Sequence, residues 1–358
     1  MLQIYQDHIK IQWANGLSSE FHFLWLRDNS PQFRHAKGQK LINTLEAGLD
    51  VAAQKVVLED EKLLIEWQDG LISHYLLDDL YQWAFPAPKP NIILWDRDLA
   101  SEVPVFKFVD VCAQKNTRKA FLQTVAVYGF GLLKEVPTSR DMLKHVVKLF
   151  GYIRETNYGK IFDVKTSASP TNLADTHLAL SPHTDNPYRD PVPTIQLLHC
   201  LQSDTQGGET ILVDGFQVAN RLQAFNPEFY QLLSQIPVRF RYTDAQTDLL
   251  HETTILSSNP KGETINVRFN NRSIQAFNLP LNLTKSFYEA YQAFERMLHD
   301  PENQFQFKLA PGDLYIVDNE RVLHGRTAFR QSGERLLQGC YADRDGLLST
   351  LRVSEQSK

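Results

Sequence analysis

The chain has 358 residues, of which 42% are hydrophobic and 22% charged, and a formal net charge of −5. This is the composition of an ordinary globular protein with room for one large domain and a smaller one, and it excludes a disordered chain. The charge is spread without a block of Lys or Arg, so there is no electrostatic footprint for nucleic acid or an anionic membrane, and a small-molecule partner is expected.

In chain order, Ile9-Lys10-Ile11-Gln12-Trp13 alternates as a strand does, and Lys62 to Trp67 followed by Gln68-Asp69-Gly70 reads as a strand meeting a turn. The first eighty or so residues therefore predict a small β-rich unit. The stretch Ala84-Phe85-Pro86-Ala87-Pro88-Lys89-Pro90 continues neither a helix nor a central strand, which places a boundary there: a small domain over 1–88 and a larger one over 89–358. In the larger domain, the spacing of Val111, Phe121, Leu122 and Val125 predicts a helix over 110–127, and Ser139 is a plausible N-cap for a second over 139–149. Gly207 to Gly215 and Gly312 to Asp318 read as turns leading into strands, and Leu281 to His299 as a helix. Many short strands with helices outside them predict an α+β fold with a double-sheet jelly roll, or double-stranded β-helix, at its core.

Cys112, Cys200 and Cys340 are odd in number and scattered without a CxxC pair, which argues against a disulfide framework and fits a reducing compartment. Met1 to Asp7 lacks the basic and apolar regions of a signal peptide, and no stretch is apolar for long enough to cross a bilayer. A cytoplasmic protein with no membrane partner is expected.

The chemistry is carried by His183-Thr184-Asp185, a remote His324 and Arg335 eleven residues after it. Two imidazoles and one carboxylate form the facial triad that holds Fe(II) and leaves the opposite face open for a cosubstrate and dioxygen. In a strand, positions 183 and 185 point the same way, so both reach one ion while Thr184 faces away. Arg335, on the next strand, would grip a carboxylate in bidentate fashion. An HxD triplet alone arises by chance. The triplet followed by a Gly-Gly-x-Thr turn at 207–210, a His-Gly pair and an arginine in order is far more specific.

These elements in this order resemble the γ-butyrobetaine and trimethyllysine hydroxylase family, within the taurine dioxygenase superfamily of Fe(II)/2-oxoglutarate oxygenases. Matching segments span nearly the whole chain, among them Trp25-Leu26-Arg27-Asp28-Asn29, Asn157-Tyr158-Gly159, His183 to Tyr188, Gln196 to Cys200, Val213 to Phe216, Arg268 to Asn271, His324-Gly325-Arg326 and Gly339 to Asp343. The resemblance implies an enzyme in which His183, Asp185 and His324 ligate Fe(II). Arg335 and Thr210 would hold the distal carboxylate of 2-oxoglutarate, with the backbone at Leu198 lining the same pocket. Dioxygen would be consumed, 2-oxoglutarate would become succinate, and a substrate C–H bond would be hydroxylated. Such relatives tend to be homodimers.

For the substrate, the family holds a quaternary ammonium group by cation–π attraction. Tyr158 and Tyr341 match cage positions, Phe162 stands where the butyrobetaine enzyme has Trp, and Asp175 stands where it has Tyr. Asn172 and Asn271 fall where the family holds a substrate carboxylate, and Arg272 adds a guanidinium suited to a more highly charged anion. A trimethylammonium-bearing acid of the γ-butyrobetaine type is the first expectation and a 2-(trimethylamino)ethylphosphonate, or related aminophosphonate, the second. Animal relatives carry a zinc in the small domain. The aligned positions here are Ser30, Gln32, His35 and His74, of which two are usual zinc ligands, so no structural zinc is expected. A non-catalytic jelly-roll binding protein is a distant alternative. A zinc hydrolase or isomerase on the same triad is another, but it would need neither Thr210 nor Arg335 as a dicarboxylate clamp.

Overall fold

Alternation along the chain builds the first unit. In Lys62–Trp67 the side chains of Leu63, Ile65 and Trp67 are fully buried while their neighbours are not. The computed structural model describes residues 1–86, 91–165, 176–330 and 334–356. The chain divides into two compact units, Met1–Lys89 and Pro90–Lys358.

In the first unit, β1 (Leu2–Ile4), β2 (His8–Gln12) and β3 (Ser18–His22) form one antiparallel sheet, and β4 (Ala53–Glu59), β5 (Lys62–Trp67) and β6 (Ile72–Leu76) another. Helices α1 (Phe23–Asp28) and α2 (Leu77–Ala84) follow the two meanders. Ile9, Ile11, Phe21, Phe23, Leu26 and the inner face of β5 make its core. Of the four positions aligned with a zinc site, two make side-chain hydrogen bonds. Ser30 is buried and donates to Ser73 Oγ at 2.8 Å, and Trp67 Nε1 donates to the same oxygen at 2.8 Å. His35 Nδ1 accepts from the Lys37 amide, and Gln32 and His74 are exposed. Hydroxyl and indole hydrogen bonds thus tie the loop to the sheet.

The second unit begins with α3 (Arg97–Ser101), β7 (Val105–Lys107), α4 (Phe108–Ala113) and α5 (Lys115–Tyr128). The helix expected over 110–127 is two helices. Gln114 is extended (φ −113°, ψ 117°) and its side chain accepts from the Thr117 hydroxyl, so a polar residue able to hydrogen-bond locally starts a new helix. After β8 (Phe130–Lys134), the second expected helix is also shorter. It is α6 (Met142–Val147), with Asp141 rather than Ser139 at its cap because the Asp141 amide is held by Gln338 Oε1 at 2.7 Å.

Next come β9 (Ile153–Arg154), β10 (Phe162–Lys165), β11 (Leu180–His183), β12 (Ile195–Ser203) and β13 (Thr210–Asp214). Helices α7 (Gly215–Phe225) and α8 (Pro227–Gln235) then lead to the hairpins β14 (Val238–Thr243)/β15 (Asp248–Thr253) and β16 (Leu256–Ser258)/β17 (Thr264–Val267). The chain closes with α9 (Leu281–His299), over the span its periodicity predicts, β18 (Phe305–Phe307), β19 (Leu314–Asp318), β20 (Val322–Arg326), β21 (Arg335–Ala342) and α10 (Arg344–Gln356).

Two facing sheets make the jelly roll: one in the order β10-β21-β12-β19-β8-β7, with β9 against β21, and one in the order β11-β20-β13-β18. Helices α5, α6 and α10 cover the outer face of the first through a cluster that includes Val125, Val146, Ile195, Ile316 and Leu347. Helices α7, α8 and α9 form a second cluster around Phe216, Leu233, Phe287 and Phe294. The inner faces hold a third cluster, which includes Leu212, Tyr315, Val317 and Leu337, together with the site. No helix among the described residues is long and apolar enough to cross a membrane.

Candidate active site

His183 ends β11 and lies opposite His324 in the middle of β20, the two rings 4.4 Å apart. Gly325 permits that approach, since a Cβ there would sit 2.6 Å from the Leu180 carbonyl oxygen. The strand ends at His183, so the pleat does not carry on to Asp185. Asn186 turns the chain at φ 54°, and a side chain from another element sets Asp185 in place. Asn319 Oδ1 accepts from the Asp185 amide at 2.7 Å, and Asn319 Nδ2 donates to the carbonyls of Asp185 and Pro193, both at 2.9 Å. Thr184 faces away, as expected, with its hydroxyl accepting from the Phe269 amide.

The ligand atoms of His183, Asp185 and His324 all lie within 4.8 Å of one another, the one such group of three or more His, Cys, Asp or Glu among the described residues. His183 Nδ1 lies 2.8 Å from the Ser181 carbonyl. A carbonyl only accepts, so the neutral ring carries its proton on Nδ1 and turns the Nε2 lone pair inward. Asp185 Oδ2 accepts from Gln196 at 2.5 Å and from the Tyr341 hydroxyl at 2.8 Å, which leaves Oδ1, 3.4 Å from His183 Nε2, for a metal.

Burial holds His324 down at about 3, with the neighbouring His183 adding to it, and burial followed by the charge of Arg272 lowers His183. Burial would raise Asp185, but electrostatic attraction to His324, then His183 and the Tyr341 hydroxyl, hold it below its ordinary value. Two neutral imidazoles and one carboxylate are what Fe(II) requires of its ligands, so the residues fit the ion.

From this triad the inner face runs toward Arg335. Leu198 pairs with Tyr315 on one side and Gly339 on the other, and the row beyond it holds Cys200 and Leu337. Arg335 opens β21, half-buried, its guanidinium 5.7 Å from the Phe329 ring, and burial lowers its pKa. Thr210, buried, opens β13 on the facing sheet, two residues from Leu212, the partner of His324.

Aromatic rings adjoin the triad on the other side. Phe162 lies 5.3 Å from Tyr341 and 6.0 Å from Tyr158, and Gly339 makes its seat, because a Cβ there would overlap the Phe162 ring. Tyr158 meets Tyr242 at 5.7 Å, Tyr242 stacks on Tyr188 at 5.3 Å, and the hydroxyls of Tyr158 and Tyr188 are 3.0 Å apart. Gly339→Val is expected to displace Phe162 and lower affinity for a cationic substrate more than for 2-oxoglutarate, whose neighbour Leu198 it also crowds, measured by parallel titrations of the two.

Asn271 and Arg272 are exposed. The Asn271 amide donates to Glu295 at 2.5 Å and accepts from the Tyr291 hydroxyl, so α9 already engages both ends of it. Asn172 and Asp175 lie outside the described residues. Sequence reasoning assigned no role to Gln196, Asn319, Tyr188 or Tyr242. Of these, Gln196 gave a signal, as a polar residue inside the apolar run Ile195 to Leu198.

A double-stranded β-helix with a His-Asp-His triad at the mouth of its two sheets defines a non-haem iron oxygenase class. The chain belongs to the taurine catabolism dioxygenase TauD, TfdA family, which matches residues 95–341, and residues 2–85 match the γ-butyrobetaine hydroxylase-like N-terminal family. It is an Fe(II)- and 2-oxoglutarate-dependent dioxygenase. A γ-butyrobetaine dioxygenase of Pseudomonas sp. (strain AK-1) is 34% identical over 97% of this chain and 94% of its own length. The mitochondrial trimethyllysine dioxygenase of Bos taurus is 32% identical over 98% and 86%. The solved structure of PvcB, an Fe, α-ketoglutarate-dependent oxygenase, shares the fold at a TM-score of 0.50 and 18% identity, covering 66% of this chain and 82% of its own.

Proposed function

We propose that this enzyme hydroxylates a C–H bond of a small acid bearing a trimethylammonium group, in the manner of a γ-butyrobetaine hydroxylase. His183, Asp185 and His324 hold Fe(II), and Arg335, Thr210 and the backbone at Leu198 hold 2-oxoglutarate. When bound, the iron and 2-oxoglutarate supply the oxidising chemistry that couples loss of CO2, leaving succinate, to transfer of an oxygen atom from O2 to the substrate. The chain's own residues orient the parts. Asn319 fixes the Asp185 backbone, Gln196 and Tyr341 fix its carboxylate, and the buried sheet interior excludes water.

The observation that carries the substrate class is the aromatic cluster next to Asp185. A quaternary ammonium donates no hydrogen bonds and is held by ring faces, and Tyr158, Phe162 and Tyr341, joined by Tyr188 and Tyr242, supply them. The two relatives quoted above carry trimethyllysine and γ-butyrobetaine in their names. In the resemblance, Asp175 stands near the cationic head and Asn172 near the acid end.

A second reading, a trimethylaminoethylphosphonate or related aminophosphonate, is favoured by Arg272, whose charge reaches both histidines of the triad. On that reading Arg272 holds the anion, and Asn271 joins it by releasing Glu295. NMR of succinate formation and product across γ-butyrobetaine, trimethyllysine, the phosphonate and the unmethylated amines tests both. Coupled turnover confined to the methylated compounds is expected, and equal uncoupled turnover of all of them would overturn the cage. Arg272→Ala is expected to raise KM for the phosphonate by roughly tenfold or more and for a carboxylate analogue much less. The proposal includes a cytoplasmic homodimer, supported by the three free thiols and the resemblance. Light scattering at twice the 41.1 kDa chain mass would support the dimer.

A further inference from the structure

Tyr315 is a buried phenol, 2% exposed, whose hydroxyl makes no hydrogen bond to a described residue and is not itself fully enclosed. Buried tyrosines ordinarily find one. Its ring meets Phe307 edge-on at 6.4 Å within the cluster formed by Cys200, Leu212, Val317 and Leu337.

Register fixes its place. Paired residues of antiparallel strands project from the same face. Tyr315 pairs with Leu198, and Leu198 with Gly339, so all three share the inner face. The row on one side holds Gln196 and Tyr341, which grip Asp185, and the row on the other leads through Leu337 to Arg335. Tyr315 therefore stands between the triad and the guanidinium. The charges that act on it agree. Burial and then Asp185 raise its pKa, and Arg335 opposes them, so the hydroxyl keeps its proton and is available as a donor.

We propose that Tyr315 binds the cosubstrate, its phenol donating a hydrogen bond to the distal carboxylate of 2-oxoglutarate beside Arg335 and Thr210. The inference rests on the reading of Arg335 as that carboxylate's partner. A carboxylate is acceptor-only with about four lone-pair sites, so one guanidinium fork and one threonine hydroxyl leave room for a further donor. Pure packing against Phe307 would be served equally by phenylalanine, which makes Tyr315→Phe the informative change.

The test is calorimetric titration of the Mn(II)-loaded full chain with 2-oxoglutarate and with 2-oxopentanoate, which has the same carbon chain without the distal carboxylate. Tyr315→Phe is expected to weaken 2-oxoglutarate roughly tenfold and leave 2-oxopentanoate unchanged. An unchanged affinity for 2-oxoglutarate, or an equal loss for both ligands, would overturn the proposal. Arg335→Met run alongside separates the two readings. If it abolishes the preference for 2-oxoglutarate while Tyr315→Phe does nothing, only the tyrosine assignment fails. If neither variant has an effect, the carboxylate site itself is elsewhere.

Discussion

His183→Ala is expected to abolish the rise in melting temperature that Mn(II) plus 2-oxoglutarate gives the parent enzyme. Ligands at about a hundred times their Kd stabilise a folded protein by roughly 2.7 kcal/mol, and the variant should show none of it. His183 contributes one of three ligand atoms gathered within 4.8 Å, and Asp185 and His324 cannot close the triad without it. The unliganded variant should melt close to the unliganded parent, because its loss removes one buried imidazole from beside another. A full metal-dependent shift in His183→Ala, read by differential scanning fluorimetry, would remove the triad from the site.

Asp214→Ala should have the largest effect on stability, about 3–5 kcal/mol. Arg321 is buried, and its Nε and Nη2 reach Asp214 at 3.0 and 2.7 Å, while the rest of the guanidinium donates to the carbonyls of Val127 and Ile93. Asp214 also accepts from the amides of Trp95 and Phe216. Its removal leaves a guanidinium charge uncompensated in the interior. Breaking one side of such a pair costs more than replacing both, so Asp214→Ala/Arg321→Met should recover part of the loss. Thermal melts followed by far-ultraviolet circular dichroism give both values. A double variant no better than the single would refute the uncompensated-charge account.

Arg321 ends a turn in which each residue is tied to something. Arg344 grips Asp318 and Glu320, both at 2.7 Å, Asn319 between them clamps Asp185, and Arg321 anchors to Asp214. The same structure that makes Asp214→Ala costly thus connects the fold's stability to the placement of the metal ligand.

The residues of the triad, the double-sheet core and the span of α9 were legible in the linear chain. Each depends on residue type, order and local period, which the sequence carries directly. The break at Gln114 was not legible, because local hydrogen bonding by a polar side chain leaves the apolar spacing on either side intact.

The sequence by itself determined which donors this protein has, two imidazoles, a carboxylate and a distant guanidinium, and hence the chemistry open to it. Tertiary structure decided how they are held. Alternation in a strand would bring Asp185 to the face of His183, but the strand stops at His183, and it is Asn319, 134 residues away, that sets Asp185. It also joined Tyr188 and Tyr242 to the aromatic wall and placed Tyr315 between Asp185 and Arg335. Those placements depend on pairing between strands far apart in the chain, and local period carries no information about them.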